Sequence, residues 1–264
     1  MSLKNISTLS PSNCEATSIK YLELKLISKS WSNFTFNVSL PSPLFVLLTE
    51  RSNLSFDKLN LTPSFLCGVA TDSHRLSSSS LEIESSINIE PIILPKKTIF
   101  QLCSLLESYD GDVKVSNIKS KIKFELNNSI LISKLIDGKF PNYIQVIPKN
   151  NQKKLEIDLK LFLNSVDRVA SVSLDKKDGV KFNLSKDTLD LSVNNTNSGD
   201  GKETLNVKFD HDLEISFNSR YLIDVASQLD GERVEIFFND TGSPALIKDP
   251  GDFDSIFVVM PMKG

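Results

Sequence analysis

The stretch Ala70-Thr71-Asp72-Ser73-His74-Arg75-Leu76 holds one of the two histidines of the chain, two residues after an aspartate and next to an arginine. An imidazole beside a carboxylate is the raw material of general-base catalysis, and it is equally a candidate metal ligand. The plain structural alternative is a polar turn at a strand end. His211 supplies no second half of an active site, because it sits in a polar FDHDLE turn. The sequence also has no G-x-S-x-G, H-E-x-x-H or Gly-rich phosphate loop. A β-rich hydrolase using Asp72 and His74 is therefore kept only as an alternative.

Two other sets of residues carry usable chemistry. The terminal run VVMPM places Met260 and Met262 two apart, and methionines are flexible, polarizable side chains that repack around varied apolar partners; the bland reading is a buried last strand. Cations gather near short helical islands: Lys96 and Lys97, Lys160, Arg168, Lys176 and Lys177, and Arg220. Singly, each reads as a solvated surface charge.

Composition limits what these groups can do. A chain of 264 residues, 40% of them hydrophobic, buries a real core and makes about two domains. A net charge of -3 argues against a surface that is basic all over, so any nucleic-acid contact has to be local. The three cysteines, Cys14, Cys67 and Cys103, form no C-x-x-C pair and point to a reducing, cytoplasmic setting. The N-terminus has no apolar signal core, and no run approaches a membrane span of roughly 18 apolar residues.

Period-two alternation marks strands in KIKFELNNSILISKL, GVKFNLSKDTLDLSV, ETLNVKF, VEIFF and SIFVVM. Helices are expected at SPLFVLLTERS from Ser42, KKTIFQLCSLLES from Lys96, LKLFLNSVDRVAS from Leu159 and SRYLIDVASQL from Ser219. The order strand, cap, short helix, Gly turn, three strands occurs at 93–138 and again at 215–262, so the chain repeats internally. Asp110-Gly111 and Asp230-Gly231 hold the same place after each helix, where a left-handed glycine is expected. The fold class is α+β, with antiparallel sheets and short helices. It divides into a leader at 1–35, a domain at 36–142 and a domain at 152–264, and the polar run PKNNQKK at 148–154 links the two domains.

VATDSHRL from Val69, ILPKK from Ile93, SKLIDGKFPNYIQVIPKN from Ser133, FNSRYLIDV from Phe217, SPALIKD from Ser243 and the terminal FVVMPMKG come in one order and spacing. Together they resemble the beta sliding clamp family of bacterial DNA polymerase III. The resemblance implies repeated clamp-type domains, sheets outside and two short helices per domain inside, in a homo-oligomeric ring around duplex DNA. No cofactor and no catalysis are implied. The implied partners are sequence-independent duplex DNA, the polymerase III catalytic subunit, the clamp loader and other proteins carrying a clamp-binding motif. Family members usually have three such domains, so the first clamp domain is expected to be lacking here. A truncated clamp fragment that binds partner peptides without encircling DNA is the first alternative, and the β-rich hydrolase the second.

The same resemblance turns ATDSHRL from a catalytic candidate into one wall of a groove that takes a partner peptide, with Gln followed by Leu and Phe. Thr71, His74, Arg75 and Leu76 form that wall. Pro141, Tyr143 and Val146 come from the linking segment, Tyr221 and Pro244 from the second domain, and Val258, Met260, Pro261 and Met262 from the C-terminal strand. Ser73 replaces a common Gly and Gln145 a common Arg. The seven cations named above are the implied phosphate contacts, through which DNA would be held without base readout.

Overall fold

The computed structural model describes residues 16–19, 44–51, 64–83, 91–107, 109, 112–118, 120–172, 179–195 and 199–262. Strands β1 (Ala16–Ile19), β2 (Leu44–Arg51), β3 (Ser64–Thr71), β4 (Arg75–Ile83) and β5 (Ile92–Leu94) precede helix α1 (Lys96–Leu106), which is followed by β6 (Val113–Ile118), β7 (Lys121–Leu126) and β8 (Ser129–Lys134). After a 3-10 turn at Tyr143–Gln145 come β9 (Lys153–Asp158), α2 (Leu159–Ala170), β10 (Gly179–Ser185), β11 (Thr188–Asn195) and β12 (Gly199–Asn206). The chain ends with β13 (Leu213–Asn218), α3 (Ser219–Ala226), β14 (Arg233–Phe238), β15 (Ala245–Asp249) and β16 (Asp252–Val259).

The repeat is one of units, each a strand, a connection and a three-strand meander. β9 opens one unit of the C-terminal half and β13 the other, but they exchange places: β9 pairs with β14 and β13 with β10. The same exchange occurs upstream, where β5 pairs with β2 and β1 with β6. Ala16–Ile19 therefore belongs to the first domain, although it falls in the stretch expected to stand apart as a leader. Four residues are too few to carry a readable alternation, and only the pairing reveals the strand.

The helix expected from Ser42 is also corrected, because Leu44–Arg51 is strand β2, hydrogen-bonded between β3 and β5. LFVLL is apolar throughout, so its periodicity distinguishes neither state, and the two flanking strands decide. Gly231 is not left-handed; among the described glycines only Gly199 has positive φ, at 96°. Gly231 is needed for closeness instead: its N–H donates to Asp249 Oδ2 at 2.8 Å, leaving no room for a Cβ. Gly111 and Cys14 lie outside the described residues.

The three described helices bury one stripe each. Ile99, Leu102 and Leu106 of α1 meet β6 and β7 residues such as Val113 and Phe124, while Phe162, Val166, Leu222 and Val225 of α2 and α3 join the C-terminal core. There Phe162, Phe182, Phe217 and Phe238 pack ring to ring at centroid distances of 6.2, 5.5 and 6.2 Å. Truncating one of these rings would cost about 3–5 kcal/mol. No described helix is long and apolar enough to cross a membrane.

The two halves share one sheet. β5-β2-β3-β4 and β16-β15-β14-β9 join edge to edge through β4 and β16, with Leu76 opposite Val258 and Ser79 opposite Ser255. Ser77, Ser78 and Ser79 are buried along this seam, where Ser79 Oγ lies 3.0 Å from Ser255 Oγ and Ser80 Oγ donates to the Asp254 carbonyl at 3.3 Å.

Candidate functional site

The β3–β4 turn is built by its own side chains. Asp72 Oδ1 accepts the backbone N–H of His74 at 3.1 Å and of Arg75 at 3.0 Å, and Thr71 Oγ1 donates to the Arg75 carbonyl at 2.8 Å. Closing the turn this tightly puts Ser73 at φ 73°, the left-handed region that favours glycine. The His74 carbonyl then accepts the N–H of Met260, at 2.8 Å, so the turn of one half is tied to the C-terminal segment of the other.

Arg75 is the hub of this junction. Its side chain is only 2% exposed; Nε donates to Asp72 Oδ2 at 3.1 Å and Nη1 to Asp224 Oδ2 at 2.7 Å. Its guanidinium lies 4.3 Å from the centre of the Tyr221 ring, and the His74 ring stacks on the same tyrosine at 6.4 Å. Burial, and then the Asp72 carboxylate, push the Tyr221 hydroxyl above the usual tyrosine range. Asp72 is thus occupied by Arg75 and two backbone amides, and the imidazole of His74 faces an aromatic ring: the pair is not arranged as a catalytic dyad.

Beneath the turn lies an apolar cluster of Cys67, Val69, Leu76, Ile93 and Val258, covered by Ile136, Phe140, Tyr143, Ile147 and Leu246. Leu76 and Val258, expected as open pocket walls, are 2% and 1% exposed and form its floor. The accessible groups are at the rim: His74 and Pro141 are exposed, Val146 is 44% exposed and Met262 38%. Pro244 is half-buried, its carbonyl accepting Asn151 Nδ2 at 2.8 Å, and the following Ala245 pairs with Val259 beside half-buried Met260 and Pro261. Met262 turns toward the other sheet: its N–H donates to the Ser216 carbonyl at 2.8 Å, and its sulfur packs where a Cβ on Gly179 would sit. All the expected groove residues thus come from elements that meet at or flank the β4–β16 seam.

The cations divide differently. Lys97, Lys160 and Arg220 each stand second in their helix, and none of the three helices has an acidic residue in its first turn. A cation there opposes the helix dipole, which ordinarily favours carboxylates at that end. Lys97 and Lys160 are exposed, Arg220 half-buried. Lys96 is half-buried above the Phe100 ring, and burial, then Arg75, hold its ammonium below the usual lysine range. Arg168 is engaged within the fold: it donates to Glu203 at 2.6 and 3.1 Å and to Ser165 at 2.9 Å, holding that carboxyl below the usual range. Lys176 and Lys177 lie outside the described residues.

Residues 54–142 match the family model described as the central domain of the DNA polymerase III beta subunit, and residues 144–263 the model of its C-terminal domain. The crystal structure of the DNA polymerase sliding clamp from Caulobacter crescentus superposes with a TM-score of 0.85 at 32% identity, covering 98% of this chain and 69% of that one. The chain belongs to the DNA polymerase III beta subunit family. A beta sliding clamp of Caulobacter vibrioides is 40% identical over 200 residues, 75% of this chain and 54% of the relative. The chain therefore spans about half the length of the curated relatives it matches. A sliding clamp from Bartonella birtlesii, solved bound to griselimycin, is 31% identical with a TM-score of 0.86 and covers 98% of this chain and 69% of its own. Within this beta-subunit fold, Asp224 is the functional neighbour that sequence reasoning missed: it lies inside the quoted FNSRYLIDV helix, but its partner is 149 residues away.

Proposed function

We propose that the chain acts as a sliding clamp, a non-catalytic accessory subunit that keeps a replicative polymerase on duplex DNA in the cytoplasm and docks partner peptides at the β4–β16 seam. The observation that carries the DNA part is the cation placed second in every described helix. The helix dipole is positive at this end, and a cation there adds to the attraction for phosphate at a cost to the helix itself, with the Asp158 and Asn218 side chains capping part of the first-turn N–H groups of α2 and α3. Such contacts are to the backbone, sequence-independent and weakened by salt. The polymerase catalytic subunit and the clamp loader are the implied partners at the groove.

Retention on DNA tests this reading. A loaded clamp is held by topology, so it stays on nicked circular duplex through a high-salt wash and is released when the circle is linearised. Equal, salt-resistant retention on linear and circular DNA would overturn the proposal.

The second reading, peptide docking without encirclement, is favoured by one observation: the seam, its turn, Tyr221 and the 140–147 segment all come from a single chain. Peptide binding by a monomer that leaves DNA unretained would select it.

A further inference from the structure

Aspartate followed by glycine is the dipeptide most open to backbone isomerisation, because a glycine nitrogen is shielded by no side chain of its own when it attacks the preceding carboxyl. The chain holds five such pairs: Asp110-Gly111, Asp137-Gly138, Asp178-Gly179, Asp200-Gly201 and Asp230-Gly231. Three of them lie wholly among the described residues, those at Asp137, Asp200 and Asp230, and the fold treats the three differently.

Two are protected. Gly231 gives its N–H to Asp249 Oδ2 at 2.8 Å, which commits the nitrogen that would have to attack. Gly201 is buried in β12 opposite Val193, with the Val169 carbonyl oxygen 2.9 Å from where a Cβ would stand, and the paired, extended strand keeps its nitrogen from folding back onto the Asp200 carboxyl. Asp137 and Gly138 are the opposite case. Both are exposed, at a bend between β8 and the 3-10 turn, and neither the Asp137 carboxyl nor the Gly138 N–H has a hydrogen-bond partner among the described residues. Nothing lies within 4 Å of a Cβ placed on Gly138, so the backbone has room to rotate.

We propose that Asp137-Gly138 is a site of spontaneous isoaspartate formation. The Gly138 nitrogen attacks Cγ of the protonated Asp137 carboxyl; the N–Cγ bond forms, the Cγ–OH bond breaks, and the hydroxyl leaves as water with the amide proton. A water molecule then opens the cyclic imide. Opening at Cγ restores aspartate, and opening at the main-chain carbonyl leaves the chain running through Cγ with a free α-carboxylate. One water leaves and one returns, so the mass is unchanged and nothing is oxidised or reduced.

The modification falls on the cover of the seam. Ile136, whose N–H donates to the Ile93 carbonyl at 2.9 Å, and Phe140 both lie over the apolar cluster, one on each side of the pair. An isoaspartyl link adds one methylene to the backbone between them. It loosens the cover, while Leu76 and Val258 beneath it stay paired in the sheet.

The full-length parent and Gly138→Ala are aged side by side in mildly acidic buffer at physiological temperature. The added methyl has room at Gly138 but shields the attacking nitrogen. In the parent, tryptic fragment 135–139 is expected to split into two chromatographic peaks of equal mass. The new peak grows with time, resists endoproteinase Asp-N and accepts a labelled methyl group from an L-isoaspartyl methyltransferase; in Gly138→Ala it is nearly absent. The fragments holding Asp200-Gly201 and Asp230-Gly231 should stay single in the folded parent and split only when the chain is aged in urea. As conversion proceeds, the Ile136 amide should lose its protection from hydrogen exchange. The proposal is overturned by a folded parent whose fragment 135–139 stays single, by equally fast conversion at the two protected pairs or in Gly138→Ala, or by an Ile136 amide that stays protected after conversion.

Discussion

Arg75 of β4 and Asp224 of α3 are 149 residues apart in the chain and joined by a 2.7 Å ion pair across the boundary between the two halves. The guanidinium is almost wholly buried and shared with Asp72 and the Tyr221 ring. It holds the β3–β4 turn against α3, and the His74 carbonyl of that turn accepts the N–H of Met260 in the C-terminal segment.

Removing Asp224 leaves the buried guanidinium to Asp72 and the Tyr221 ring, whereas removing Arg75 takes the guanidinium from both carboxylates. Asp224→Asn is expected to destabilise the chain by about 1 to 3 kcal/mol, and Arg75→Leu by more than that single change. Urea unfolding of the three proteins checks the order. A single variant as stable as the parent would show that the junction does not depend on the pair.

Ser73 sits at φ 73°, where a side chain is strained. Ser73→Gly should raise stability by about 1 kcal/mol while the turn hydrogen bonds to Asp72 persist. A thermal melt that falls, or is unchanged, contradicts this account of the turn.

The division among the cations gives an order of effects on DNA. Lys97→Ala and Lys160→Ala should each flatten the salt dependence of duplex binding by about one unit of slope, because each removes one phosphate contact. Arg168→Ala should change it less, since its guanidinium already serves Glu203. Fluorescence anisotropy over a salt series measures all three.

Glu203 is held below the ordinary carboxylate range chiefly by its hydrogen bonds from Arg168. A lowered carboxyl stabilises the fold above its unfolded-state value, and this contribution fades as pH falls through the lowered value. The parent should therefore be more stable than Glu203→Gln at neutral pH, and the two melting curves should converge on acidification below the usual carboxylate range. A gap that stays constant down to that range would assign the difference to something other than the charge.

Much of this fold was legible in the sequence because its strands alternate cleanly: KIKFEL and VEIFF became β7 and part of β14, with every second residue buried. RLSSSSLEI was not legible as a seam. Serines carry no hydrophobic period, and their burial depends on hydroxyl partners such as Ser255 on a distant strand. β2 failed for the opposite reason, an apolar run whose state is set by its neighbours. At the candidate site, the motifs named segments that the fold gathers around the β4–β16 seam. They did not reveal that Leu76 and Val258 form a covered floor, or that Arg168 is committed to Glu203, since both facts depend on contacts that cross between elements.

Peptide docking at the seam is the claim on which the function depends most closely, and it requires no ring. A labelled peptide with Gln followed by Leu and Phe, titrated by fluorescence polarisation, should bind saturably to the parent. Met260→Ala should cost on the order of 1 to 3 kcal/mol, and His74→Ala less. A change far from the seam, Lys186→Ala, should leave the affinity unchanged. If folded Met260→Ala and His74→Ala proteins bind the peptide as tightly as the parent, the peptide does not dock at this seam.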